Sequence, residues 1–265
     1  MKKNLIIFSA TFAILSLLFF SFTNWNTVKA DPNKSSNDEP LNLNQNVKKD
    51  FPDLYFGVDT RFAAIKKSDI DKATTIYDFL NEGEKQQIVE INSVKVVKIE
   101  DNRLSGSPEY GNDEHLTDAQ IKLIRSTDYF NHFTIRTEFI GKNKDTGKLE
   151  NRFFGPHITI VPDQQALYVN GKDALLKYLE DNSYDALSII DGNKLGAIKI
   201  SFIITKKGEI SNVKHDAMTT SYPTIDEKLI ELIKNIPGEW TPAETALGEK
   251  IDYEFVFTFG PRDRC

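Results

Sequence analysis

The C-terminal part of the chain, residues 195–259, constrains the fold most, because its apolar residues follow the strand period and the helix period in turn. Residues 195–205 are rich in β-branched side chains, with apolar residues at every second position, which predicts a strand. Residues 206–208 supply a short hairpin connection with glycine in the left-handed position, and residues 209–215 return as a second strand. Residues 251–259 alternate most regularly and predict the last strand.

A helix is predicted between the second of these strands and the last. Thr224 and Glu227 have the spacing of a capping box with Thr224 at the N-cap, and Pro237 and Gly238 end the helix. The apolar residues between these signals fall on one helical face: Ile225, Leu229, Leu232, Ile233 and Ile236. We therefore predict the α+β class, as a small antiparallel sheet with helices packed on one face. The residues predicted to share its core are Phe202, Leu229, Ile233, Phe255 and Phe257.

Four pieces of this region, taken in order, resemble the C-terminal domain of TonB-like proteins, in the variant common in the Bacteroidota. The pieces are residues 196–204, 208–213 and 222–226, and Trp240-Thr241-Pro242-Ala243 followed by Gly248. Residues 169–182 resemble the lead-in helix of the same family. The resemblance covers residues 170–260 and says nothing about residues 31–165.

The resemblance implies a binding site formed by the backbone N–H and C=O groups of a strand edge. In the family, an edge of the sheet pairs with a short extended segment of a partner, often an outer-membrane receptor. The physical basis is strand addition, in which unpaired N–H and C=O groups supply affinity and alternate side chains supply specificity. If the last strand provides this edge, the partner-binding residues are Asp252, Glu254, Val256 and Thr258. The expected partners are envelope proteins, including outer-membrane receptors, and no cofactor is implied.

Two departures from the family argue against a classical TonB energy transducer, which remains an alternative. The transducing membrane helix of the family carries a histidine that contacts the motor proteins. The apolar segment here has no histidine, only Ser9, Thr11, Ser16 and Ser21 as polar residues. A folded region also replaces the Pro-rich rod. We therefore favour a binding module without proton-driven work of its own.

The N-terminal residues predict export to the bacterial periplasm. Lys2 and Lys3 precede residues 5–22, which carry no charge and would span roughly 27 Å as a helix. Residues 28–30, Val-Lys-Ala, fit a signal cleavage site. Both a cleaved signal peptide and a retained inner-membrane anchor stay open, and contact with the membrane is expected only through this segment. The single cysteine, Cys265, excludes an internal disulfide and a lipoprotein anchor.

We divide the chain into four parts. Residues 1–30 are the signal peptide or anchor, residues 31–50 a disordered linker, residues 51–165 a second α+β region of unknown function, and residues 166–265 the TonB-like domain. Within the second region the expected helices are residues 68–80, residues 84–90, and one capped by Thr117 and Gln120. The expected strands are residues 93–99, 133–140 and 151–161, and residues 103–115 are expected to form a loop.

No constellation of catalytic or metal-ligating residues stands out. The net charge of −6 argues against nucleic acid as a partner. The four histidines, His115, His132, His157 and His215, show no ligand spacing, so no metal site is predicted. Serine nucleophile and phosphate-loop motifs are also absent. Trp240 is expected to pack the helix end against the sheet. We therefore predict no enzyme, with an envelope enzyme whose active site lies in residues 50–165 as the other alternative.

Overall fold

The computed structural model of this protein describes residues 52–143 and 145–265, so the predicted leader and linker lie outside the described residues. The predicted α+β class is confirmed, because the described residues form five α-helices and two main sheets that are mostly antiparallel. None of the described helices combines the length and the apolar composition that a membrane crossing requires.

The first main sheet has four antiparallel strands, with the last strand of the chain inside it. Across the sheet they are β1 (Leu54–Asp59), β14 (Tyr253–Pro261), β9 (Ile198–Ile204) and β10 (Ile210–Met218). The two longest helices pack on one face of this sheet: α4 (Lys172–Leu187) and α5 (Pro223–Lys234). The five residues predicted to share a core all lie in it, which confirms the predicted register: Phe202, Leu229, Ile233, Phe255 and Phe257.

The start of α5 differs from the sequence prediction. Pro223 is the first residue of the helix and Tyr222 is its N-cap, without a side-chain capping bond, so the predicted capping box at Thr224 is wrong. Proline suits the first helical position because its missing N–H would have no partner there. Asp226 instead accepts from the backbone N–H of Thr220 at 3.1 Å. This bond fastens the loop that precedes the helix.

The second main sheet has six strands. Five follow in the order β2 (Ala63–Lys66), β7 (His157–Val161), β5 (His132–Lys142), β3 (Ile88–Glu100) and β4 (Arg103–Gly111), and β6 (Leu149–Phe154) also pairs with β5. Only the β2–β7 pair is parallel. Three short helices complete the region: α1 (Lys67–Ile70), α2 (Glu82–Lys85) and α3 (Asp118–Arg125). A separate core joins this sheet to Ile70 of α1 and Ile124 of α3.

Several local predictions in this region need correction. Residues 103–111 form β4 rather than a loop, because Gly106 and Pro108 fall where the pairing with β3 shifts register and the ladder is interrupted. The long helix expected at residues 68–80 is only α1 followed by the 3-10 turn Ile76–Phe79. The helix expected at residues 84–90 is the shorter α2, since β3 already begins at Ile88. The capping box at Thr117 and Gln120 is confirmed.

Two short strand pairs complete the fold near α5. They are β8 (Leu167–Tyr168) with β11 (Trp240–Thr241), and β12 (Ala243–Glu244) with β13 (Lys250–Ile251). Trp240 is 7% exposed, and its ring centroid lies 6.2 Å from that of Phe202 and 5.6 Å from that of Phe255. The prediction that Trp240 packs against the sheet is confirmed.

Candidate functional site

The strand predicted to offer a partner-binding edge lies inside its sheet. On one side β14 pairs with β9 from Tyr253 to Phe259, and on the other it pairs with β1 from Val256 to Pro261. The prediction of a free edge is therefore wrong from Val256 onward. The physical reason is that β1, which no sequence signal marked, supplies the missing neighbour.

The four predicted site residues do not form one surface. Asp252 precedes β14 and accepts a hydrogen bond from the backbone N–H of Lys206 at 2.9 Å. Val256 is only 4% exposed, and Thr258 is half-buried. Glu254 is also half-buried, and it lines a polar cavity described below. Each of these side chains therefore has a different environment.

The two edges of this sheet are β10 and β1, and β10 is irregular. Its pairing with β9 shifts register twice, between Ser211 and Lys214 and between His215 and Ala217. Asn212 and Met218 have left-handed backbones, with φ of 47° and 61°. Bulges of this kind interrupt the ladder and twist an edge away from further pairing. The β10 edge is therefore a poor template for an added strand.

The β1 edge is regular. Its six residues pair with β14 without a register shift. The N–H of Arg262 donates to the carbonyl of Asp53 at 2.9 Å, so the backbone of Asp53 faces β14. Because backbone groups alternate along an antiparallel strand, the N–H and C=O groups of Leu54, Phe56 and Val58 face away from β14. No strand of the described residues pairs with that side of β1.

Side chains hold β1 firmly in place. The Phe56 ring lies 5.0 Å from that of Phe259, and Val58 is buried in the core beneath the helices. At the end of the strand, Asp59 accepts from Lys172 Nζ at 2.5 Å. The outward groups of β1 therefore sit on an anchored strand, which preorganises the edge for binding.

A polar cavity of about 360 Å³ lies where the segment after β1 meets β10 and the second sheet. Its walls include Arg61, His132, Lys214, Asp216 and Glu254. Arg61 Nη2 lies 2.5 Å from Asp216 Oδ1, and the two side chains are only 13% and 9% exposed. This ion pair links the β1–β2 connection to β10.

Burial shifts the ionisation of two groups in this cavity. Burial, together with the charge of Arg61, lowers the pKa of His132 from 6.5 to about 4. Burial also raises the pKa of Glu254 above its ordinary value. His132 Nδ1 lies 3.0 Å from Thr159 Oγ1, which itself accepts from the N–H of Phe62 at 3.1 Å. Thr159 is 2% exposed, so its contact with His132 is shielded from solvent.

We expect His132 to make stability pH-dependent. Its folded pKa of about 4 lies below the unfolded value of 6.5, so its contribution is present above pH 6.5 and lost as the pH falls toward 4. Glu254 acts in the opposite direction, because its raised pKa favours the folded state at low pH. The His132→Gln variant should therefore lose less stability on acidification than the parent. Urea unfolding across this pH range measures the difference.

His115→Gln is the matched control, because the side chain of His115 is 71% exposed. The difference between this variant and the parent measures what an exposed histidine contributes over the same pH range. An equal pH dependence for His132→Gln and the parent would contradict the assigned burial of His132.

Within the described residues, one group of three side chains has the geometry to hold a metal ion. Asp113, Glu114 and His115 offer ligand atoms within 4.8 Å of one another, and all three residues are exposed. The spacing of the histidines does not indicate this group, because its other two members are carboxylates. Exposed acidic groups of this kind are common without a metal.

Comparisons of this chain with protein-family models, with curated proteins and with solved structures found no match. The TonB-like resemblance therefore stays a hypothesis that rests on the four sequence pieces and their order.

Proposed function

We propose that this protein binds an extended segment of a partner protein in the bacterial periplasm, by adding it as a strand beside β1. The partner is an envelope protein connected with outer-membrane transport, and the protein does no proton-driven work of its own. The observation that carries the proposal is the regular β1 edge, where the outward backbone groups of Leu54 and Phe56 have no strand partner among the described residues, whereas Val58 is buried. The TonB-like order of parts and the predicted export segment support it.

The side chains of β1 indicate what the partner segment must look like. Leu54 and Phe56 are half-buried and pack against the core under the helices. A strand added beside β1 would place every second side chain next to them on the same face. We therefore expect apolar residues at alternate positions of the partner segment. Backbone hydrogen bonds would supply affinity of about 0.5 to 1.5 kcal/mol each.

Leu54→Pro tests the edge directly. Proline removes the outward N–H of residue 54, and its ring obstructs an incoming strand. We expect this variant to bind the partner at least about tenfold more weakly, which corresponds to about 1.4 kcal/mol. The partner is first captured by a photoreactive residue placed at Tyr55, and the affinity for the purified partner is then measured by calorimetry.

Leu54→Ala is the matched control, because it removes the same side chain and keeps the N–H. Circular dichroism confirms that both variants fold. Photoreactive residues at Lys214 on β10 and Asn151 on β6 test whether the partner binds at either of two other edge strands. Equal affinities of Leu54→Pro and Leu54→Ala for the partner would show that the β1 edge is not the binding site. Capture of the partner only from β10 or β6 would show the same.

A further inference from the structure

The second main sheet also has an open strand edge, because the outer side of β6 pairs with no strand of the described residues. On its inner side β6 pairs with β5 from Leu149 to Phe154, and this pairing has no register shift. The edge strand β4 at the other end of the sheet is less regular, since its pairing with β3 shifts register and interrupts the ladder. The β6 edge is therefore able to accept an added strand.

The hairpin that joins β5 to β6 shows which backbone groups of β6 face outward. The N–H of Asn143 donates to the carbonyl of Lys148 at 2.8 Å, so the backbone of Lys148 faces β5. Backbone groups alternate along an antiparallel strand, so every second residue from Lys148 onward faces β5 and the residues between them face away. The residues whose backbone groups face away from β5 are Leu149, Asn151 and Phe153.

The side chains of β6 are complementary to those of a second β6 in the antiparallel orientation. Two copies paired about a two-fold axis at Asn151 would place Glu150 of each copy opposite Arg152 of the other. The same register places Leu149 opposite Phe153, and these side chains are 62% and 60% exposed. Opposite charges and apolar groups that face each other across a ladder both stabilise the pairing.

The neighbouring antiparallel registers lack this complementarity. The smallest shifts that still bring outward backbone groups face to face move the axis to Glu150 or to Arg152. The first shift places two glutamates opposite each other and the second places two arginines opposite each other. Like charges directly opposite are destabilising, so the charges of β6 favour the axis at Asn151.

We infer that a second copy of this chain pairs with β6 about the axis at Asn151, which joins two six-stranded sheets into one. The same residues contribute from both copies, so the interface is isologous and closes with two chains. The contact is short, and we therefore expect a weak dimer that dissociates on dilution. This association is independent of partner binding at β1, which lies in the other main sheet.

Disulfide trapping in the full chain tests the register. Cys265→Ser removes the only native thiol, and Asn151→Cys then places two thiols opposite each other on the axis. Residues paired in this way lie about 5.5 Å apart between Cα atoms, within the range that a disulfide bridges. Under mild oxidation, this variant should form a linked dimer at least about tenfold faster than Glu150→Cys, whose thiols lie off the axis.

Lys177→Cys is the control for random collision, because Lys177 is an exposed residue of α4. It should also form linked dimers at least about tenfold more slowly than Asn151→Cys. Equal rates for the three cysteine variants, or faster trapping through Glu150→Cys, would overturn the inference.

Charge exchange tests the complementarity without a disulfide. Glu150→Arg and Arg152→Glu should each weaken self-association at least about fivefold, because either change places like charges opposite each other. A mixture of the two variants should associate as well as the parent, since every facing pair then has opposite charges. Analytical ultracentrifugation of the full chain measures association, and circular dichroism confirms that the variants fold. No association of the parent, equal association of all variants, or no recovery in the mixture would refute the β6 dimer.

Discussion

Replacing Phe255 with alanine should lower the free energy of unfolding by about 3 to 5 kcal/mol, because the substitution removes a large buried ring and leaves a void. Phe255 is 8% exposed. Its ring centroid lies 4.6 Å from that of Tyr253 and 5.6 Å from those of Phe202 and Trp240. The substitution therefore affects β14, β9 and the segment after α5 together. Equilibrium unfolding in guanidinium measures the change.

Thr258→Ala is the control for Phe255→Ala, since Thr258 is a half-buried residue on the opposite face of the same strand. It should cost less than about 1 kcal/mol, as most substitutions without a cavity or a lost network do. A loss below about 1 kcal/mol for Phe255→Ala would mean that β14 turns its other face to the core.

The second large effect is expected from Arg61→Met. This change leaves Asp216 without its counter-ion in a site where its side chain is 9% exposed. Removing one partner of a buried ion pair typically costs about 3 to 5 kcal/mol, because the remaining charge stays desolvated. Asp216 Oδ2 has no hydrogen-bond partner among the described residues, so Arg61 is its main compensation. Urea unfolding at neutral pH measures the loss.

The double variant Arg61→Met with Asp216→Leu distinguishes a lost ion pair from lost packing. Replacing both charges with apolar groups should recover most of the stability, because no buried charge remains. The Lys177→Ala variant of the exposed Lys177–Asp181 pair should change stability by less than about 1 kcal/mol. If the double variant is as unstable as Arg61→Met alone, the ion pair does not explain the effect.

Local patterns in the sequence were sufficient for the C-terminal sheet and its core. The alternation of residues 251–259 placed Phe255 and Phe257 under the helices, where the structure also has them. The hairpin glycine Gly208 has φ of 83°, as its turn position predicted. These features depend on residues that are close together in the chain, so they can be predicted from a single sequence.

The position of each strand in its sheet could not be read in this way. Whether β14 is central or at an edge depends on β1, a six-residue segment distant in sequence and without a distinctive pattern. The same holds for the polar cavity, since Arg61, His132 and Asp216 come from three separate regions. Glu254 was predicted to contact a partner protein. The packing of segments distant in sequence places it in the wall of the polar cavity instead. Pairings between distant residues leave no periodic signal.

The pairing of β1 with β14 also determines when this protein can finish folding. Leu54 and Pro261 are paired although they lie roughly 200 residues apart in the chain, and contacts between such distant residues slow folding. β14 follows β1 and β9 in the chain, so both strands lack this neighbour until β14 has been synthesised. A chain without β14 therefore exposes one unpaired edge on β1 and one on β9. Truncation before Tyr253 would leave both edges free to aggregate.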